Sequence, residues 1–251
     1  MAAGDDTRAG LRAATYLAPC NRRLYEYAAT ACGASLTVGG DWRELAAGGI
    51  DLAFVCSPPL VWLGDAVEAL AAPVLADPRF GGRPLYTSEV VVAAGSRFRS
   101  LEDLRGRRWA VNEPSSWSGY WVTLRELGSW DYFGEVVRAG FHERALRMVA
   151  AGEVDGSAID CHVLAVELAR HPELAPQVRV VGTLGPAPSQ PVVVRGGLDP
   201  ELKARLRRRL LELSSPVLAE HRVERFAPAP DYSEIAAAVG AAPGLVGGPG
   251  G

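Results

Sequence analysis

Three things are scarce in this 251-residue chain, and each scarcity removes a class of function. Net charge is the first: 26 Lys and Arg stand against 29 Asp and Glu, leaving a formal −3. That balance gives no electrostatic case for binding nucleic acid or an anionic membrane surface. Cysteine is the second: Cys20, Cys32, Cys56 and Cys161 are widely spaced and form no Cys-x-x-Cys pair. Neither a structural zinc site nor a disulfide framework is expected. No His, Asp and Glu grouping has metal-ligand spacing either, so no metal and no cofactor are expected. Long apolar runs are the third. No stretch reaches the ~18–20 residues of a membrane-spanning helix, so no membrane insertion is expected. Met1 to Gly10 is short and polar, with Asp5 and Asp6, and no apolar h-region follows. As written, the chain reads as cytoplasmic; with a start lying upstream it would read as periplasmic or cell-surface.

What is present describes an ordinary globular protein, 48% hydrophobic and 22% charged. Short apolar runs alternate with helical patterns, the signature of α/β layering with mainly parallel strands. Strands are predicted over 11–17, 35–38, 51–56, 87–94, 109–111, 136–139, 156–160, 178–181 and 192–194. Helices are predicted over 22–32, 42–47, 58–70, 100–104, 118–127, 141–151, 162–170 and 198–214, with one or two more in 217–239. The arginines of 205–209 share a helical pattern with Leu202, Leu206, Leu210 and Leu213, which makes most of them a solvated face. Two such α/β blocks joined by two extended crossings imply two lobes with a cleft between them. The first lobe takes 11–88 and 195–240, the second 89–194. Crossings, and hence the hinge, are expected near 90–94 and 191–194, and disordered ends at 1–10 and 241–251.

Ligands in open α/β sheets sit beyond the carboxyl ends of the strands. The turn Asn112 to Tyr120 lies at such a point, between the strand Trp109-Ala110-Val111 and a helical pattern in Val122, Leu124 and Leu127. Ser115, Ser116, Ser118 and Gly119 sit where free backbone N–H groups begin a helix, a place suited to a phosphate, phosphonate or carboxylate. The plainer reading makes Ser115 or Ser116 a helix cap. Trp117, inside the turn, is a candidate ligand contact, whereas Trp42, Trp109 and Trp130 read as packing residues. Asp160, between a strand and a helix, is either an N-cap or an acceptor for a ligand hydroxyl, ammonium or phosphoryl proton. Tyr16, closing the first strand, is either core or cleft wall. Cys20, Cys56 and Cys161 all follow strands, and Cys161 adjoins His162 at a helix N-terminus. A nucleophilic thiol is one reading and an inert buried wall the other. His142, His171 and His221 read as surface residues.

Six segments carry a resemblance that runs from about Leu11 to Tyr232. They are Asp51-Leu52-Ala53-Phe54-Val55, Tyr86 to Val92, Leu101 to Arg107, Pro114 to Tyr120, Gly152 to Asp160, and Pro191 to Arg195. In order and spacing the chain resembles the phosphate/phosphonate-type substrate-binding proteins of ABC transporters, within the type II periplasmic-binding-protein fold. The resemblance implies a hinged two-lobe receptor closing on a small anionic ligand, with the serine turn on the phosphoryl oxygens. It places Tyr86 and Asp160 among the ligand contacts, and an ABC permease as partner if the protein is exported. Glu89 departs from it, standing where a neutral or apolar residue is usual: either the ligand carries a cationic group or Glu89 points away. Trp62 and Trp117 would make the cleft more aromatic than bare phosphate requires. A second class stays open, a cytoplasmic enzyme on the same fold, thiamin-pyrimidine-synthase-like or chorismate-dehydratase-like, working through the cleft cysteines.

Overall fold

A computed structural model of the protein describes residues 10–239, so the disorder expected at the two ends falls, Gly10 aside, outside the described residues. The first βαβ unit follows directly from apolar spacing. β1 (Leu11–Thr15) buries Ala13 and Ala14, α1 (Arg22–Ala31) turns Leu24, Tyr25, Ala28 and Ala29 inward, and β2 (Ala34–Val38) returns parallel to β1. β3 (Leu52–Phe54) is buried throughout, as a strand covered on both faces must be. α2 (Ser57–Leu63) starts with prolines in its first turn, where a missing N–H costs nothing. The helix expected to continue to Leu70 stops at Leu63: Gly64, at φ 50°, ends it, and β4 (Val67–Leu75) follows.

The chain then builds a second sheet. β5 (Leu85–Ala93), β6 (Arg108–Asn112), α3 (Val122–Leu127), β7 (Glu135–Gly140), α4 (His142–Ala150), β8 (Gly156–Asp160), α5 (Cys161–Arg170) and β9 (Val178–Pro188) complete it. β9 runs on through Pro186 and Pro188, beyond the end expected at Val181. It is the edge strand of this sheet, and an edge has backbone positions with no ladder bond to lose.

β10 (Val192–Arg195) re-enters the first sheet between β3 and β4. α6 (Pro200–Leu211) is capped by Asp199, which accepts the Leu202 N–H, and buries Leu202, Leu206 and Leu210. Arg205, Arg208 and Arg209 face solvent, while Lys203 and Arg207 reach Glu68. α7 (Pro216–Glu220), β11 (Val223–Pro228) and α8 (Ser233–Val239) finish the described chain. β11 lies in a stretch expected to be helical. Arg222, at φ 55°, breaks the helix before it, and Val223 and Phe226 are buried against β4.

The strand orders are β11-β4-β10-β3-β1-β2 and β7-β6-β8-β5-β9. A parallel trio lies in each, β2-β1-β3 and β7-β6-β8, and the strand that each crossing leads into, β5 in the second sheet and β10 in the first, runs antiparallel to its trio. The first crossing is not at 90–94: Val90 to Ala93 pair with β9 inside the second sheet. It runs instead from β4 to β5 through 76–84, a segment containing Gly81 and Gly82. The second runs from β9 to β10 through Ser189, Gln190 and Pro191.

Candidate ligand-binding site

The ends of the parallel strands of both sheets meet at a cavity of about 310 Å³ between the lobes. The first lobe contributes Tyr16, Trp42 and Cys56; the second contributes Asn112, Ser115, Ser116, Ser118, His142 and Asp160. Gln190, in the second crossing, lines the floor. Among the described residues no Lys or Arg lines this cavity, while Asp160 and Glu113 do. An anion placed here would meet only neutral donors.

The serine turn supplies such donors. A single π-helical turn, Trp117–Trp121, leads into α3. Ser116 caps it, its Oγ accepting the Gly119 N–H at 3.1 Å, so the capping reading holds and the Ser116 hydroxyl hydrogen is still free to donate. Gly119 lies against Asn112 so closely that an added Cβ would stand 2.8 Å from the Asn112 Cβ. Ser118 is oriented by a histidine. The Asp160 N–H donates to His142 Nδ1 at 3.4 Å, which places the ring's proton on Nε2. Nε2–H then donates to Ser118 Oγ at 2.9 Å, so the Ser118 hydroxyl proton is not committed to His142. Burial lowers the His142 pKa, in keeping with a neutral ring. The Trp117 N–H meets Cys56 Sγ at 3.2 Å, so a thiol of the first lobe touches the helix start of the second.

Asp160 is the N-cap that its position allowed, and its second oxygen is also engaged. Its Oδ1 accepts the N–H groups of His162 at 2.7 Å and Val163 at 3.3 Å, capping α5, while Oδ2 accepts Gln190 Nε2 at 2.5 Å. Tyr16 is a cleft wall, its hydroxyl donating to the Asp41 carbonyl at 3.2 Å and its pKa pushed up to about 12, first by burial. Tyr86 stands behind the cavity. Its hydroxyl is buried beside the Ser118 side chain, with Cys56, Asp160 and Cys161 also near it.

Several expectations are corrected. Glu89 turns out of the cleft: Arg79 Nη1 donates to its Oε1 at 2.8 Å, Thr87 at 2.9 Å, and Thr183 to its Oε2 at 2.6 Å. The Trp117 ring is 1% exposed and belongs to the core, because the π turn rotates it inward. Trp42 instead lines the cleft, stacked obliquely on Trp62 at 5.7 Å. Trp109 packs on Phe133 at 4.7 Å, as a packing residue should. Of the three thiols only Cys56 lines the cavity. Cys161 accepts the Thr87 N–H at 3.4 Å and borders a separate hollow beside the first crossing. Burial, with the charge of Asp160, raises Cys161 to about 12, so the helix start beside it does not yield a thiolate. Burial raises Cys56 to about 11, and burial with Glu143 and Glu167 drives Cys20 far higher.

Sequence reasoning missed Asn112, His142 and Gln190, and put His142 and His221 on the surface although both are buried. The strand-end rule points to the first two, which close β6 and open α4, but His142 sits in an amphipathic helix that reads as surface. Cys20, Glu143 and Glu167 bring ligand atoms within 4.8 Å of one another. Arg147 already pairs with Glu167 at 2.8 Å, and Arg170 bonds the Cys20 carbonyl, so that group carries its own cations. Among the described residues no helix is long and apolar enough to cross a membrane.

The fold has solved relatives. A binding-protein component of an ABC phosphonate transporter from Pseudomonas aeruginosa is 20% identical, with TM-score 0.73 over 88% of this chain and 82% of that one. PhnD1 from Prochlorococcus marinus, in complex with methylphosphonate, is 14% identical, with TM-score 0.77 over 90% and 95%. A Xanthomonas citri protein bound to ATP is 20% identical, with TM-score 0.68 over 92% and 97%. At such identities these likenesses show a shared two-lobe fold. The family profile of periplasmic substrate-binding proteins of phosphonate ABC transporters matches residues 42–233, well over half of the sequence. This chain therefore belongs to the phosphonate ABC-transporter substrate-binding family.

Proposed function

We propose that the cleft binds a small oxyanion of the phosphonate, phosphate or phosphorylated-metabolite class and delivers it, outside the cytoplasmic membrane, to an ABC permease. One observation carries this reading. Ser116 and Ser118 each use an oxygen lone pair on a protein donor, so neither hydroxyl proton is committed to that donor, in a cavity lined by no Lys or Arg among the described residues. Asp160 opposite accepts hydrogen bonds, so the ligand meets it with a proton: a phosphoryl O–H, a hydroxyl or an ammonium. A sulfonate at neutral pH has no such proton on its head group. Isothermal titration should therefore show saturable binding of methylphosphonate or a phosphate ester and much weaker binding of the matching sulfonate. Equal affinity for both would overturn the reading, and so would failure of every phosphoryl compound to bind.

The two crossings, 76–84 and 189–191, are proposed as the hinge. Saturating ligand should then reduce the radius of gyration in small-angle scattering. An unchanged curve would argue for a rigid, pre-closed site. The cysteine-enzyme alternative lacks a thiolate at neutral pH, since Cys56 and Cys161 are held near 11 and 12. Cys161→Ala is expected to bind with near-normal affinity, and ligand should be recovered chemically unchanged after long incubation. A product whose formation depends on Cys20, Cys56 or Cys161 would install the enzyme instead.

A further inference from the structure

A second set of polar contacts ties the lobes together, and ligand binding as described does not explain it. Asn21 follows β1 and His221 precedes β11, both in the first lobe; His162 and Arg170 lie on α5 of the second. Asn21, His162 and His221 are 1%, 6% and 0% exposed. Their protons can be placed one after another. A guanidinium only donates, so the 3.2 Å contact of Arg170 Nη2 makes His221 Nε2 an acceptor. The His221 proton is then on Nδ1, which donates to Asn21 Oδ1 at 2.9 Å. That turns the Asn21 amide nitrogen toward His162 Nδ1, which accepts at 3.4 Å. The remaining His162 proton, on Nε2, goes to the His221 carbonyl at 2.5 Å. Each assignment forces the next, and the chain closes only with both imidazoles neutral. A second proton on His221 would set N–H against the guanidinium; one on His162 would set N–H against the Asn21 amide. Beside it, Arg170 Nη1 bonds the Cys20 carbonyl and the Cys20 N–H reaches Glu143 Oε1 at 2.9 Å, two more bonds between lobes.

We propose that Asn21, His162, His221 and Arg170 are positioning residues for ligand binding: they form a proton-sensitive latch that biases the lobes toward closure, which ligand completes, and that releases when an imidazole is protonated. This rests on the reading of the cleft as an oxyanion receptor. The latch reaches the site through α5, since His162 lines the same cavity as Asp160. The charges around it pull in different directions. Burial lowers the His162 pKa, and Asp160 raises it by less. Asp77 and Arg222 border the hollow that His162 shares with Cys161. Burial, then Arg170, His162 and Arg23, bring His221 down to about 4. Tyr25 lies against the Asn21 amide, and Glu143 and Glu167 face Cys20. The sign follows from these shifts. Groups whose pKa is lower in the closed state than the ~6.5 of a free imidazole favour closure above that value and cease to do so as pH falls toward 4. Release of His221 alone would weaken closure roughly 30-fold at about pH 5.

The test is titration of methylphosphonate between about pH 7.5 and 5 into the wild type, His221→Phe and Arg170→Met, with circular dichroism as the fold control. The ligand's own ionisation affects all three alike. Wild-type affinity should fall at least tenfold more steeply with acid than that of His221→Phe, which should already be weaker at pH 7.5. Arg170→Met removes a donor and a like charge beside His221 and should shift the acid midpoint upward. Parallel profiles in the three proteins would overturn the latch. If methylphosphonate fails to bind at any pH, the receptor reading fails, and ligand-free scattering judges the latch alone. A radius of gyration that grows on acidification in the wild type but not in His221→Phe supports it; equal, pH-independent radii overturn it.

Discussion

Replacing Ser116 and Ser118 together by alanine should weaken oxyanion binding at least tenfold while the protein stays folded. On the proposed reading each hydroxyl donates to a charged group, and such a bond is worth about 1.5–3 kcal/mol. The site holds no Lys or Arg, among the described residues, to make up the loss. Ser116→Ala also removes the acceptor of the Gly119 N–H, and Ser118→Ala leaves His142 Nε2–H without its partner in a buried place. Isothermal titration with methylphosphonate measures the effect, with circular dichroism as the fold control. Unchanged affinity in a folded double variant would remove the serine turn from the site.

Trp109→Ala should produce the largest loss of stability, about 3–5 kcal/mol by the usual cost of emptying an aromatic core position. Trp109 is fully buried, stacks on Phe133 with an 8° interplanar angle, and lies on β6. Gly156 of the neighbouring strand packs against it: a Cβ there would meet Trp109 Cζ3 at 2.9 Å. The surrounding backbone cannot collapse into the vacated space without disturbing β6, which ends at Asn112 beside the serine turn. Urea unfolding should show the loss in the midpoint, and ligand affinity should drop with it. A change below about 1 kcal/mol would mean that the site relaxes around the cavity.

Much of the lobe architecture was legible because short apolar runs and amphipathic spacing are local signals. The strand Gly156–Asp160 and the serine turn could be read from neighbouring residues alone. Where local signals competed, tertiary context decided. Gly64 and Arg222 ended helices that composition would have extended, and the edge position of β9 tolerated two prolines that looked like a break. The first crossing was placed too late, because Val90 to Ala93 pair within the second sheet and strand pairing is not written in the strand itself.

The same division runs through the site. Sequence alone determined that Ser115, Ser116, Ser118 and Asp160 lie at strand ends, since that depends only on the order of elements along the chain. It could not determine which way a side chain turns once a helix or strand packs. The π turn sends Trp117 into the core, Arg79 draws Glu89 out of the cleft, and burial keeps Cys56 and Cys161 protonated. Nor could it bring Asn21, His162 and His221 together, which stand 141 and 200 residues apart from Asn21 along the chain. Only the docking of one lobe on the other creates that contact, and with it a network whose hydrogen bonds close in a single protonation state.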